Sequence, residues 1–93
     1  MLSVIIERHH RWLVAMGYTT ATPLESLALI TSEIGEAANE CRTGAPTEQF
    51  SEELADIVLR TFGLARSLNI DIEAAMLAKI EKNEATGRKG RLI

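Results

Sequence analysis

Two stretches decide the reading: SEIGEAANE, residues 32–40, and SEELADIVLR, residues 51–60. Each carries two carboxylates three positions apart, Glu33 with Glu36 and Glu53 with Asp56. On a helix, residues at i and i+3 project from one side. The segment between them holds Gly44-Ala45-Pro46, a turn signal, and is short. Two helices joined so closely pack antiparallel, and the two carboxylate pairs can then face each other. Four converging carboxylates repel weakly in water and much more strongly where water is thinned out. Something cationic therefore belongs between them. Hard oxygen donors without His or Cys suit Mg²⁺, with Mn²⁺ as the alternative. The competing reading of each pair taken singly is a solvated helix face. A di-iron bundle would need Glu-x-x-His on two helices, and the two histidines, His9 and His10, lie together near the N-terminus.

Working outward, punctuation and period predict four helices and no strand. The first spans Leu2 to Met16, with Gly17 suited to close it. The second has Thr22 as N-cap, Pro23 at N1 and Glu25 at N3, a capping box, and is expected to run to about Thr43 before Gly44. Thr47 is expected to cap the third, which continues to Leu68 or Asn69. Asp71 is expected to cap the fourth, from Ile72 to about Ala85, with Gly87 beyond. Residues 88–93 read as a loose basic tail on a single domain spanning 1–93. At about 100° per residue, Leu27, Ile30, Ile34, Ala37, Ala38 and Cys41 form one apolar arc on the second helix, with Glu33 and Glu40 at its edge. On the third, Leu54, Ile57, Val58, Phe62, Leu64, Ala65 and Leu68 form an arc too wide for one neighbour to cover, bordered by Glu53, with Asp56 and Arg60 just beyond. That helix is expected at the centre of an antiparallel four-helix bundle and in a subunit interface. The fold class is all-α.

Composition agrees. The chain has 93 residues, 46% hydrophobic, 25% charged and only 4% aromatic, which is globular and disfavours an all-β domain. A chain this short buries a modest core, which favours self-association as a homodimer or homotetramer. Cys41 is the single cysteine, so no internal disulfide or Cys-rich zinc site is available, and it reads as an inert buried thiol. No apolar run approaches a membrane span and no signal-peptide pattern is present, so no membrane partner and a cytoplasmic location are expected. The net charge of −3 does not favour a nucleic-acid polymer. Its distribution is uneven: Glu25 to Asp56 holds eight acids against Arg42 alone, whereas Lys79 onward holds five bases against Glu81 and Glu84. An acidic middle and a basic end could hold one polyanion through a metal.

On the fourth helix, Lys79 and Asn83 share a face with Ile72, Met76 and Ile80. Either Lys79 snorkels and Asn83 sits at a frayed end, or both point into the carboxylate cleft and meet phosphate oxygens. Glu-x-x-Glu, sixteen residues, Glu-x-x-Asp and then a helix with Lys-x-x-x-Asn together resemble the MazG-type all-α nucleoside triphosphate pyrophosphohydrolases. That superfamily also holds the dimeric dUTPases and the phosphoribosyl-ATP pyrophosphohydrolases. The resemblance runs from the helix bearing Trp12 to the basic tail.

The resemblance implies a Mg²⁺-dependent, four-helix enzyme that hydrolyses an NTP or dNTP to the monophosphate and pyrophosphate, a house-cleaning or pool-adjusting reaction on nucleotides. Glu33, Glu36, Glu53 and Asp56 would hold metal, and Glu33 or Glu36 would also orient or deprotonate the attacking water. Lys79, Asn83 and Arg88 would contact phosphates. The family commonly carries an Arg three residues after the Asn; here that position is Thr86, and Arg88 lies two further on. Trp12, with His9 at i−3, would stack on the base; otherwise Trp12 is a core or interface residue. His9 and His10 diverge by about 100°, so at most one is expected to face the site. Two other readings stand beside this one: a non-enzymatic helical interaction or antitoxin-like module with a solvated acidic face, and the same site used on phosphoribosyl-ATP.

Overall fold

A computed structural model describes residues 1–18 and 21–87 and gives the chain four helices: α1 (Leu2–Ala15), α2 (Pro23–Asn39), α3 (Phe50–Ser67) and α4 (Ile72–Thr86). No strand occurs among the described residues, and none of the helices is long and apolar enough to cross a membrane. Residues 88–93, including the tail and Arg88, lie outside the described residues.

The helix starts follow local chemistry. The Glu25 N–H donates to Thr22 Oγ1 (3.1 Å) and the Thr22 N–H donates to Glu25 Oε1 (2.9 Å), completing the capping box ahead of Pro23. At α4, the Ala74 N–H donates to Asp71 Oδ1 (3.0 Å). Gly87 closes that helix in the left-handed region (φ 67°), which costs a glycine little, so α4 runs one residue past the expected end. Asn69 does the same after α3 (φ 57°), where the Ile70 N–H reaches back to the Ala65 carbonyl at 2.9 Å.

The α2–α3 connection differs from expectation on both sides. α2 ends at Asn39 rather than near Thr43, because the next amides tighten into i→i−3 bonds: Cys41 N to Ala38 O (3.0 Å) and Arg42 N to Asn39 O (3.3 Å). α3 starts at Phe50, with Gln49 before it and no side-chain cap. Thr47 is not the cap because its hydroxyl is engaged elsewhere. It donates to the Glu40 carboxylate and accepts from the Gln49 N–H (3.3 Å), while the Thr47 N–H donates to the Glu40 carbonyl (3.2 Å). The turn is thus tied to the end of α2.

α3 is central, touching α1, α2 and α4; α2 lies along it and α4 makes the slightest contact. On α2 the covered stripe is Ser26, Ile30, Glu33, Ala37 and Glu40; on α3 it includes Phe50, Glu53, Ile57, Thr61 and Leu64. These follow i+3/i+4 spacing, so Glu33 and Glu53 sit on the packed sides of their helices. α1 is held to α3 by Arg66 Nε donating to Glu7 Oε1 (2.6 Å).

Little is buried: only Ile30, Ala37 and Ala65 among the described residues. The apolar arc expected on α2 is only partly covered, since Leu27 and Ile34 are about half exposed. Leu54 and Val58 of α3 and Met76, Leu77 and Ile80 of α4 are also uncovered. The chain exposes 7555 Å², whereas a compact monomer of its mass exposes about 5,300 Å².

The hydrogen bond from Arg66 holds the Glu7 carboxyl below its ordinary value of 4.5. A lowered acid stabilises the fold above its unfolded value and loses that contribution as pH falls through the lowered one. Glu7→Gln is therefore expected to lower the melting temperature slightly at neutral pH. The difference from wild type should vanish below the carboxylate range when both are melted at one protein concentration.

Candidate metal centre and adjoining cleft

The antiparallel α2–α3 pair brings one carboxylate oxygen each from Glu33, Glu53 and Asp56 within 4.8 Å of one another. Glu33 and Glu53 are half-buried, and Asp56 is exposed. Glu36 stands outside this trio on the exposed side of α2, and lines a hollow of about 550 Å³ with Ser32, Gly35, Asn39, Glu40 and Glu53. The four expected carboxylates are therefore neighbours, three in one tight group and the fourth beside Glu53.

Their electrostatics is that of crowded anions. Burial, first, and the charges of Glu36 and Glu33, next, raise the Glu53 carboxyl above its ordinary value. Glu53 Oε2 is buried and meets no hydrogen-bond donor. A buried carboxylate oxygen without a donor is unfavourable unless a cation reaches it. Three hard oxygen donors and no imidazole or thiolate match Mg²⁺ or Mn²⁺.

Arg60 is the site residue that the spacing argument overlooked. It lies one turn after Asp56, and its Nε is 3.3 Å from Glu33 Oε1. Its signal in the sequence was the i+4 offset from Asp56, on a face noted only as the border of the apolar arc.

A second cleft, of about 580 Å³, opens between α1, the first half of α2 and α3, where Asp56 and Arg60 form part of its wall. Trp12 and His9 line it, with rings 6.0 Å apart and nearly parallel. Trp12 is 51% exposed, which excludes a core role within this chain. His10 lines the cleft too, contrary to the expectation that one histidine at most would face the site; the cleft is broad enough to span both directions. Tyr18 lies 5.6 Å from Trp12 and is a further lining residue. It follows Gly17, beyond the helix, so no periodicity marked it.

Lys79 and Asn83 are not brought to the carboxylates. Neither lines either cleft, and α4, which carries them, makes only slight contact with α3. Lys79 is exposed and Asn83 half-buried. The expectation that both share the carboxylate cleft fails within one chain, because α4 packs only lightly on α3. Cys41 is a half-buried free thiol at the end of α2, rather than fully buried.

Glu53→Gln removes the most crowded charge and supplies a donor to its neighbours. It is expected to raise the melting temperature of protein stripped of divalent ions, and to abolish the further rise expected of wild type in millimolar Mg²⁺. An equal Mg²⁺ shift in both proteins would show that Glu53 faces no cation.

Comparison with known proteins bears on the chain as a whole. The MazG nucleotide pyrophosphohydrolase domain model matches residues 21–88 of the 93. No curated protein and no solved structure is significantly similar to the chain. The match takes in α2, α3 and α4 with all four carboxylates, and leaves α1, with His9 and Trp12, outside it. Family members are generally dependent on a divalent metal, and the acidic cluster is of the kind that can hold one. With four helices and the acidic signature on the central two, the chain belongs to the MazG nucleotide pyrophosphohydrolase domain family, an all-α fold.

Proposed function

We propose that this chain, as one domain over residues 1–93, is a Mg²⁺-dependent nucleoside triphosphate pyrophosphohydrolase in the cytoplasm, converting an NTP or dNTP to its monophosphate and pyrophosphate. The observation that carries the reading is the convergence of Glu33, Glu53 and Asp56, together with a buried Glu53 oxygen, Oε2, that meets no donor, beside an aromatic cleft. Glu33, Glu36, Glu53 and Asp56 hold the metal, with Mn²⁺ as a workable substitute. When bound, the ion supplies charge neutralisation for the phosphate oxygens and for the carboxylates themselves. Glu36, outside the tight trio, orients or deprotonates the attacking water, with Glu33 as the other candidate for that role. Trp12 and His9 offer ring faces to the base.

Self-association belongs to the same reading. Leu27 and Ile34 on α2, Leu54 and Val58 on α3, and Met76 and Ile80 on α4 are too large an uncovered apolar surface for a 10.2 kDa monomer. A homodimer or homotetramer covers it, and a neighbouring chain's α4 then supplies Lys79 and Asn83 to the phosphates, a role Arg88 shares.

The test is a product assay with Mg²⁺ and the common NTPs and dNTPs, scoring pyrophosphate separately from phosphate. Wild type is expected to release pyrophosphate. Glu36→Gln and Asp56→Asn are expected to lose at least about a hundredfold in rate with unchanged helicity. Full Mg²⁺-dependent activity in either variant would overturn the four-carboxylate site. Trp12→Ala is expected to raise KM for nucleotide while leaving the Mg²⁺ requirement intact. No release by folded protein that also ignores Mg²⁺ in a melt would leave the interaction module as the better reading.

A further inference from the structure

Of the two clefts beside the carboxylates, the aromatic one carries, among the described residues, a single Lys or Arg side chain in its wall, Arg60. Its guanidinium stands between two environments. On one side it pairs with Glu33, a member of the carboxylate trio, at 3.3 Å. On the other it borders the cleft that holds Trp12, His9 and Tyr18. The Arg60 side chain is 44% exposed, against 15% for Glu33, so the head can turn without unpacking the helix.

We infer that Arg60 is a nucleotide-phosphate ligand held in reserve by Glu33 and released to the substrate when a divalent cation takes that carboxylate. The inference rests on the metal-centre reading above. Glu33 cannot serve both cations equally, because a carboxylate oxygen drawn to a divalent ion loses attraction for a guanidinium carrying one charge. A nucleotide whose base enters the aromatic cleft, and whose phosphates run to the carboxylate trio, must pass the wall formed by Asp56 and Arg60. Arg presents a planar fork of N–H donors that matches phosphate oxygens two at a time. Until then its pairing with Glu33 offsets part of the repulsion within the trio.

The distinguishing measurement is Mn²⁺ binding alone, followed by electron paramagnetic resonance, and then binding of α,β-methylene nucleoside triphosphates to Mn²⁺-saturated protein. A panel of the four common bases is used, and the analogue bound most tightly by wild type is carried forward. Arg60→Gln is expected to tighten Mn²⁺ by about two- to fivefold, the range set by a partly exposed ion pair. It is expected to weaken the analogue by about tenfold or more, as for the loss of a charged hydrogen bond. These opposite signs are what a merely supporting role would not produce. Weaker Mn²⁺ binding in Arg60→Gln makes Arg60 a prop for Glu33 and overturns the inference; so does an unchanged affinity for the analogue. Should Arg60→Gln fail to fold, Arg60→Lys, which keeps the charge but not the fork, is expected to weaken the analogue without weakening Mn²⁺, and wild-type affinity for the analogue overturns the inference. Wild-type protein that binds no Mn²⁺ overturns the metal centre and the inference together. Wild-type protein that binds both probes, with both affinities kept in the variant, overturns the inference alone.

Discussion

The structure depends on the antiparallel contact of α2 with α3, and that contact carries a built-in conflict. The stripes that pack these helices together include Glu33, Glu40 and Glu53 among Ile30, Ala37 and Ile57. Burying carboxylates between two helices works against the packing unless each has a partner. Glu40 has one in Thr47, whose hydroxyl donates to the carboxylate while its amide donates to the Glu40 carbonyl, which also ties the connecting turn to the end of α2. Glu33 has one in Arg60. Glu53 has none at its Oε2 atom, and its raised carboxyl pKa records the strain. The conflict is thereby concentrated at one atom, beside the carboxylates best placed to share a cation.

α1 adds the second half of the arrangement. It reaches α3 through Glu7 and Arg66, and its His9 and Trp12 rings wall a cleft that the α2–α3 pair alone would leave as open surface. α1 and α3 meet at ordinary contact distance there: a Cβ added at Gly63 of α3 would lie 3.9 Å from the His9 ring. The cleft and the carboxylates meet at Asp56 and Arg60, one turn apart on α3. One helix therefore presents crowded carboxylates towards α2 and the Asp56–Arg60 edge towards α1.

Fully buried side chains are scarce, and the helices themselves rest heavily on local devices: the Thr22–Glu25 capping box, the Asp71 cap, and the left-handed closures at Asn69 and Gly87. Such devices contribute about 1 kcal/mol each, too little to replace a core. The uncovered leucines and isoleucines of α2, α3 and α4 are what the proposed self-association would bury. It would also give α4, which touches its own chain so lightly, a reason to carry Lys79 and Asn83.

Local rules decided a good deal from sequence alone. Helix type, the starts of α2 and α4 and the closing glycine of α4 follow from capping and turn chemistry that acts within four residues. The two carboxylate pairs and the antiparallel geometry follow from spacing and a short connection, and the family follows from their combination. What reached beyond four residues was set by tertiary structure. Whether Thr47 capped α3 or bound Glu40 depended on a partner seven residues away. That Glu33 groups with both Glu53 and Asp56, while Glu36 neighbours Glu53 from outside that group, depended on the rotation of α2 against α3. The Arg60–Glu33 pair, the joint lining by His9 and His10, the return of Tyr18 onto Trp12, and the separation of Lys79 from the carboxylates all depend on how helices dock. Periodicity assigns a residue to a face; only packing assigns that face a neighbour.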